Sequence, residues 1–175
     1  MLPRTLIPVL GGLVLTACSG PWYPPPPQRQ FAYVEEPEPP GMFLLMGNPD
    51  AGDRILADIS ERIEGSGWRW TREHPRLSYR LPRTTGWKFR AQFGFPEANI
   101  KDTGPVTVSF LVNGHVLDKV RYTEPGDRIF EKAVPAAWLR AGQVTVAGAD
   151  IEPPWIAPSD KARLGFVLHA AGFVE

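Results

Sequence analysis

Few residues of this chain are of types that do covalent or proton chemistry, and they are scattered. Cys18 is the one cysteine among 175 residues, so no disulfide closes within the chain and no cysteine-based metal site forms. His74, His115 and His169 stand far apart, in no metal-ligand or triad spacing. There is no Gly-x-Ser-x-Gly elbow and no glycine-rich phosphate loop. Asp150, Glu152 and Asp160 lie near one another in sequence. They are either an acid–base pair of the kind glycoside hydrolysis needs or solvated loop carboxylates.

The tryptophans offer a different chemistry. An indole face accepts the apolar C–H face of a sugar while neighbouring polar groups bond the hydroxyls. Trp68 and Trp70 have the same parity and point to one side. With Thr71, Arg72 and His74 they form a binding wall, or else they pack inward. Trp155 lies in Glu152-Pro153-Pro154-Trp155-Ile156-Ala157-Pro158-Ser159-Asp160. Held by prolines beside Glu152 and Asp160, it is either a pre-organised sugar platform or a lid on the core. Arg163 is expected to pair with Asp160. Trp87 shares the face of Phe89 and Phe93 and belongs to the core, and Trp138 is expected to plug one end of the domain. The candidate ligand-binding residues are thus Trp68, Trp70, His74, Glu152, Trp155 and Asp160. No catalytic, cofactor or metal role is assigned to any residue.

Cys18 has its own context. A cation at Arg4 precedes an apolar stretch from Leu6 to Leu15, and small residues follow, which is the order of a secretory signal peptide. The stretch is far short of the ~20 residues a spanning helix needs. It ends Leu15-Thr16-Ala17-Cys18, which resembles the lipobox of bacterial lipoproteins. The resemblance implies cleavage after Ala17 and a lipid on Cys18. Acyl chains contribute ~0.8 kcal/mol per buried CH2, so two or three hold a protein firmly to a membrane. Ser19, where an Asp would favour inner-membrane retention, points to the outer membrane of a Gram-negative envelope.

Residues 1–17 therefore read as a signal peptide, 18–41 as a lipidated tether and 42–175 as one domain. The tether carries Pro24-Pro25-Pro26-Pro27 and Glu35-Glu36-Pro37-Glu38-Pro39-Pro40, a composition that favours extended polyproline II. Trp22 and Tyr23 suit a membrane interface. The chain has 19 basic and 19 acidic residues, so nothing in its charge points to a nucleic-acid partner, whose usual footprint is a basic surface.

From Met42 onward, period-two alternation dominates. Leu77, Tyr79 and Leu81 form one face, Trp87 to Phe95 a second, and Val106 to Val112 a third. Asn113-Gly114 is a hairpin turn, because both positions take positive φ readily. Val116, Val120 and Tyr122 follow with one parity, as the next alternating run. Strands are also expected over Ile129–Val134, Val144–Ala147 and, unbroken, Arg163–Ala171. Pro135 to Gly142 suits a single helical turn. Ile55, Ile59 and Ile63 suit a short helix, and Ile55, Ala57 and Ile59 a strand. Seven to nine short strands give an all-β antiparallel sandwich.

Gly67-Trp68-Arg69-Trp70-Thr71, Val108 to Gly114, the turn at Pro125-Gly126, and Pro158-Ser159-Asp160 leading into Arg163-Leu164-Gly165-Phe166 resemble a galactose-binding-like jelly roll. The resemblance spans Gly67 to Phe173 and implies the fold of many carbohydrate-binding modules. The expected function is a non-catalytic binding module on the cell envelope, with a glycan as ligand. The alternative is a protein–protein interaction module of an envelope complex. The first expects exposed tryptophans beside polar loop residues. The second expects buried rings with an apolar patch or a free strand edge.

Overall fold

The computed structural model describes residues 41–175; Cys18, the apolar stretch before it and the Pro-rich tether lie outside the described residues. The alternating segments are strands: β1 (Phe43–Leu45), β2 (Ile55–Ile59), β3 (Arg69–Arg80), β4 (Lys88–Phe95), β5 (Val106–Val112), β6 (His115–Tyr122), β7 (Gly126–Ala133), β8 (Val144–Glu152), β9 (Trp155–Ile156), β10 (Arg163–Leu164) and β11 (Val167–Val174). A short helix, α1 (Glu97–Thr103), and 3-10 turns at Pro49–Arg54 and Ala136–Trp138 complete the order.

Strands join in the order β6-β5-β8-β3-β11-β4-β7, with β1 added to β11 and β2 to β3. Every pairing is antiparallel. The long β3 belongs to both layers: Arg69 and Trp70 pair with β11, and Arg76 to Arg80 with β8. The two ends of the order come back together through side chains. Lys132 of β7 reaches Asp118 of β6 at 2.8 Å, and Phe130 of β7 stacks on Phe110 of β5 with centroids 3.7 Å apart. The molecule is the expected all-β antiparallel sandwich, its core filled by the inward residues of both layers.

Period two explains that core. Leu77, Tyr79 and Leu81 are buried, as are Trp87, Phe89, Ala91, Phe93 and Phe95, and so are Val106, Val108, Phe110 and Val112. The buried Tyr79 hydroxyl donates to Ala171 O at 2.9 Å, so the ring brings no unpaired polar group inside. β1 lies along the C-terminal half of β11, with Phe43 opposite Gly172 and Leu45 opposite Ala170. Phe173 N–H donates to Met42 O and Met46 N–H to His169 O at the two ends of this pairing.

Three expectations are corrected and one open alternative is decided. Val116 faces out, 56% exposed, and Leu117 faces in. The cause is a register shift: Leu111 pairs with Val116 but Phe110 with Asp118, so Leu117 is an extra residue and parity reverses across it. Of the two readings open for Ile55 to Ile59, the strand holds, because the segment pairs along β3. The final strand breaks at Gly165-Phe166, where Arg163 and Leu164 turn aside to pair with Ile156 and Trp155. Arg163 does not pair with Asp160; its guanidinium grips Glu73 of β3 in two bonds of 2.7 and 2.6 Å. The bidentate geometry, which a planar fork favours, depresses the Glu73 carboxyl below its ordinary range.

Candidate functional site

β3 begins with a row of alternating residues. Arg69, Thr71, Pro75 and Leu77 point inward, and Trp70, Arg72, His74 and Arg76 point outward. Each inward polar group has a structural task. Buried Arg69 donates from Nε to Met46 O at 2.9 Å and from Nη1 to Ser60 O and Glu61 O at 3.1 and 2.6 Å. It thereby pins the segment after β2 against β3. Thr71 Oγ1 donates to Phe166 O and accepts from Phe166 N–H, while Gly165 N–H donates to Thr71 O. These bonds fix the Trp155–Leu164 loop to β3. Thr71 is fully buried and so is no part of a binding wall.

The three tryptophans come together on the outward side. Trp68 meets Trp70 edge-on, with centroids 5.8 Å apart. Trp70 and Trp155 stack at 6.1 Å with ring planes 24° apart. All three are half-buried. The stacked pair walls a groove of about 590 Å³ whose polar lining is Asp58, Ser60, Arg72, Ser159 and Asp160. Its volume is that of a small-ligand cleft, and its lining is more polar than apolar.

The surroundings are held rigidly. Asp58 sits at φ +55, a left-handed conformation that Asp tolerates, where the β2–β3 register shifts. Its Oδ2 accepts the His74 N–H at 3.0 Å, satisfying a donor that the irregular ladder would leave free. On the other wall Ala157 and Ala162 bond across the loop, and Asp160 Oδ1 accepts the Ala162 N–H at 3.0 Å. Trp155 donates from Nε1 to Asp102 of α1, and Asn99 of the same helix donates to Gly165 O at 2.7 Å.

Of the residues singled out by sequence, Trp70, Trp155 and Asp160 line the groove and Trp68 braces Trp70 from behind. His74 and Glu152 do not line it. His74 turns to Asp150, its Nδ1 donating to Oδ1 at 2.9 Å. Arg76 bonds the same carboxylate and also Ala149 O. Partial burial opposes ionisation of Asp150, but the bonds from Arg76 and His74 outweigh it and hold the carboxyl below its usual range. Asp150 is thus an ion-pair partner on the sheet face, and Glu152 is exposed at the end of β8. Among the described residues no three His, Cys, Asp or Glu side chains gather as a metal site would need. None of their helices is long and apolar enough to cross a membrane.

Asp58, Ser60, Ser159 and Asp102 were not foreseen. Asp58 lies in β2 and Ser60 directly follows it, and the bulges there hide their orientation from any parity argument. Asp102 depends on α1, whose signals were present: Pro96 and Glu97 at the start and Gly104, at φ +76, at the end.

No protein-family model matches the chain, and no curated protein does. Solved structures do. A family 35 carbohydrate binding module from an environmental isolate is 12% identical over 76% of this chain and 92% of its own, with a TM-score of 0.49. A CBM35 from Paenibacillus barcinonensis is 16% identical over 77% and 99%, with a TM-score of 0.44.

Proposed function

We propose that this chain is a lipid-anchored envelope protein whose sandwich binds glycan without catalysing its cleavage, in the groove beside Trp70 and Trp155. The observation that carries the reading is the stacked indole pair forming one wall of an open groove with hydroxyl, carboxylate and guanidinium groups beside it. An indole gains from contact with sugar C–H groups. Asp58 and Asp160 accept hydrogen bonds from sugar hydroxyls, Arg72 donates, and Ser60 and Ser159 do both. Two acids and one base in the lining favour a hydroxyl-rich ligand over a strongly anionic one.

Binding of the full chain to a panel of envelope polysaccharides and peptidoglycan fragments tests this. Retention by at least one glycan, lost in a folded Trp155→Ala variant, is the expected result. Retention by none overturns it. The anchor is tested separately: Cys18→Ser is expected to release the protein from membranes, and mass spectrometry to find diacylglycerol on Cys18. By Ser19, the expected membrane is the outer one of a Gram-negative cell.

A second reading, docking to an envelope protein, is favoured by one feature. The outermost strands β6 and β7 expose Val116 and Ile129, at 56% and 70%. Cross-linking on intact cells, with Ile129→Lys as the control, tests it.

A further inference from the structure

β3 runs away from the tryptophan groove for about 35 Å at ~3.3 Å per residue. Near its far end, where Gly142 N–H donates to Leu81 O, is a second pocket of about 300 Å³. Asn113, His115, Trp138, Arg140 and Gln143 supply its polar and aromatic lining. No carboxylate is among the lining residues, unlike the groove, which has Asp58 and Asp160.

Asn113 builds this pocket. It occupies the hairpin turn at φ +49, and both ends of its amide are used. Nδ2 donates to Trp138 O at 2.7 Å and Oδ1 accepts the Val146 N–H at 2.8 Å. The 3-10 turn bearing Trp138 is thereby locked to β8. Trp138 packs against the core, and the His115 ring stacks on it with centroids 4.8 Å apart and planes 15° apart. His115 is exposed, so the pile ends in an imidazole open to solvent. Arg140 and Gln143 are exposed beside it, and Arg140 enters none of the ion pairs of the described residues.

We propose that this pocket is an oxyanion site that takes a phosphate group. Its free polar side chains are a guanidinium, an imidazole and an amide, all able to donate. A guanidinium matches phosphate geometry in two parallel bonds. Phosphate, with three acceptor oxygens, uses more of these donors than a carboxylate does. The ring pile offers an apolar flank to whatever carries the phosphate.

The test is titration of the full chain, followed by NMR, with inorganic phosphate, glucose 1-phosphate and glucose. Both phosphates are expected to shift the His115 ring and Trp138 indole signals, and glucose is not. Arg140→Gln should weaken phosphate binding about tenfold, the worth of a charge-assisted bond. Trp155→Ala should leave it unchanged, which separates this site from the glycan groove. Tighter binding of glucose 1-phosphate assigns the ring pile to the sugar, and equal binding assigns the site to the phosphate alone. No shifts with either phosphate, or shifts unchanged in Arg140→Gln, overturn the proposal.

Discussion

Trp155 donates its indole Nε1–H to the Asp102 carboxylate at 2.9 Å, across 53 residues of sequence. The bond ties one wall of the groove to α1 and sets the angle at which the indole meets Trp70. Trp155→Ala should lower glycan affinity at least tenfold, since it removes half of the aromatic wall. Asp102→Ala keeps the ring but frees its orientation. A hydrogen bond of ~1 kcal/mol predicts a loss of a few-fold, with the melting temperature little changed. Calorimetric titration of both variants with the best glycan ligand checks the order. Equal losses would mean that Asp102 does more than position the ring.

Arg69 is 2% exposed and serves three backbone carbonyls, those of Met46, Ser60 and Glu61. Arg69→Leu strands these acceptors and should destabilise the fold by roughly 3 kcal/mol. Urea denaturation measures it. Because Ser60 lines the groove, the same variant should weaken glycan binding even under conditions where it is fully folded.

Gly165 stands where a Cβ would press on Arg72 O at 2.5 Å and Thr71 Oγ1 at 2.7 Å. The close approach lets its amide reach Thr71 O and its carbonyl reach Asn99. Gly165→Ala should cost on the order of 2 kcal/mol through overpacking. Hydrogen exchange should speed up in β9, β10 and the loop between them before it does in β4. Uniform acceleration across the sandwich would refute a local role.

Asp150 gives a pH signature. Its folded carboxyl titrates below the unfolded value, so its contribution to stability is complete above the ordinary Asp range of about 3.9. That contribution disappears as pH falls through the lowered folded value. In Arg76→Gln the largest support for the ionised form is gone, and burial should move the Asp150 midpoint upward. Carbonyl NMR reads both midpoints. An unchanged midpoint in the variant would show that His74 alone sustains the shift.

Most of the sandwich was legible because its core strands obey period two without interruption. Trp87 to Phe95 and Val106 to Val112 needed only alternation, and Asn113-Gly114 supplied the turn. Parity failed where a bulge inserts a residue. Leu117 reverses β6, and the shifts in β2 conceal Asp58. The groove was legible only in its aromatic half. Trp70 and Trp155 announced themselves by type, but their meeting depends on the pairing of β9 with β10 and on Thr71, a long-range arrangement without a local pattern. His74 has the parity of Trp70, yet it lies four residues further along β3 and turns to Asp150.

The direction of β11 has a mechanical consequence. Its N-terminal end pairs with Trp70 beside the groove, and its C-terminal end lies beside Met42, where the chain enters the domain. On the function proposed above, tension between a bound glycan and residue 41 would run along β1 and β11 and pull them in opposite directions. The bonds from Met42 to Met46 then bear the load together, in shear, rather than opening one by one as in a peeled hairpin. Resistance to such a pull would be set by a ladder of backbone hydrogen bonds well away from the groove.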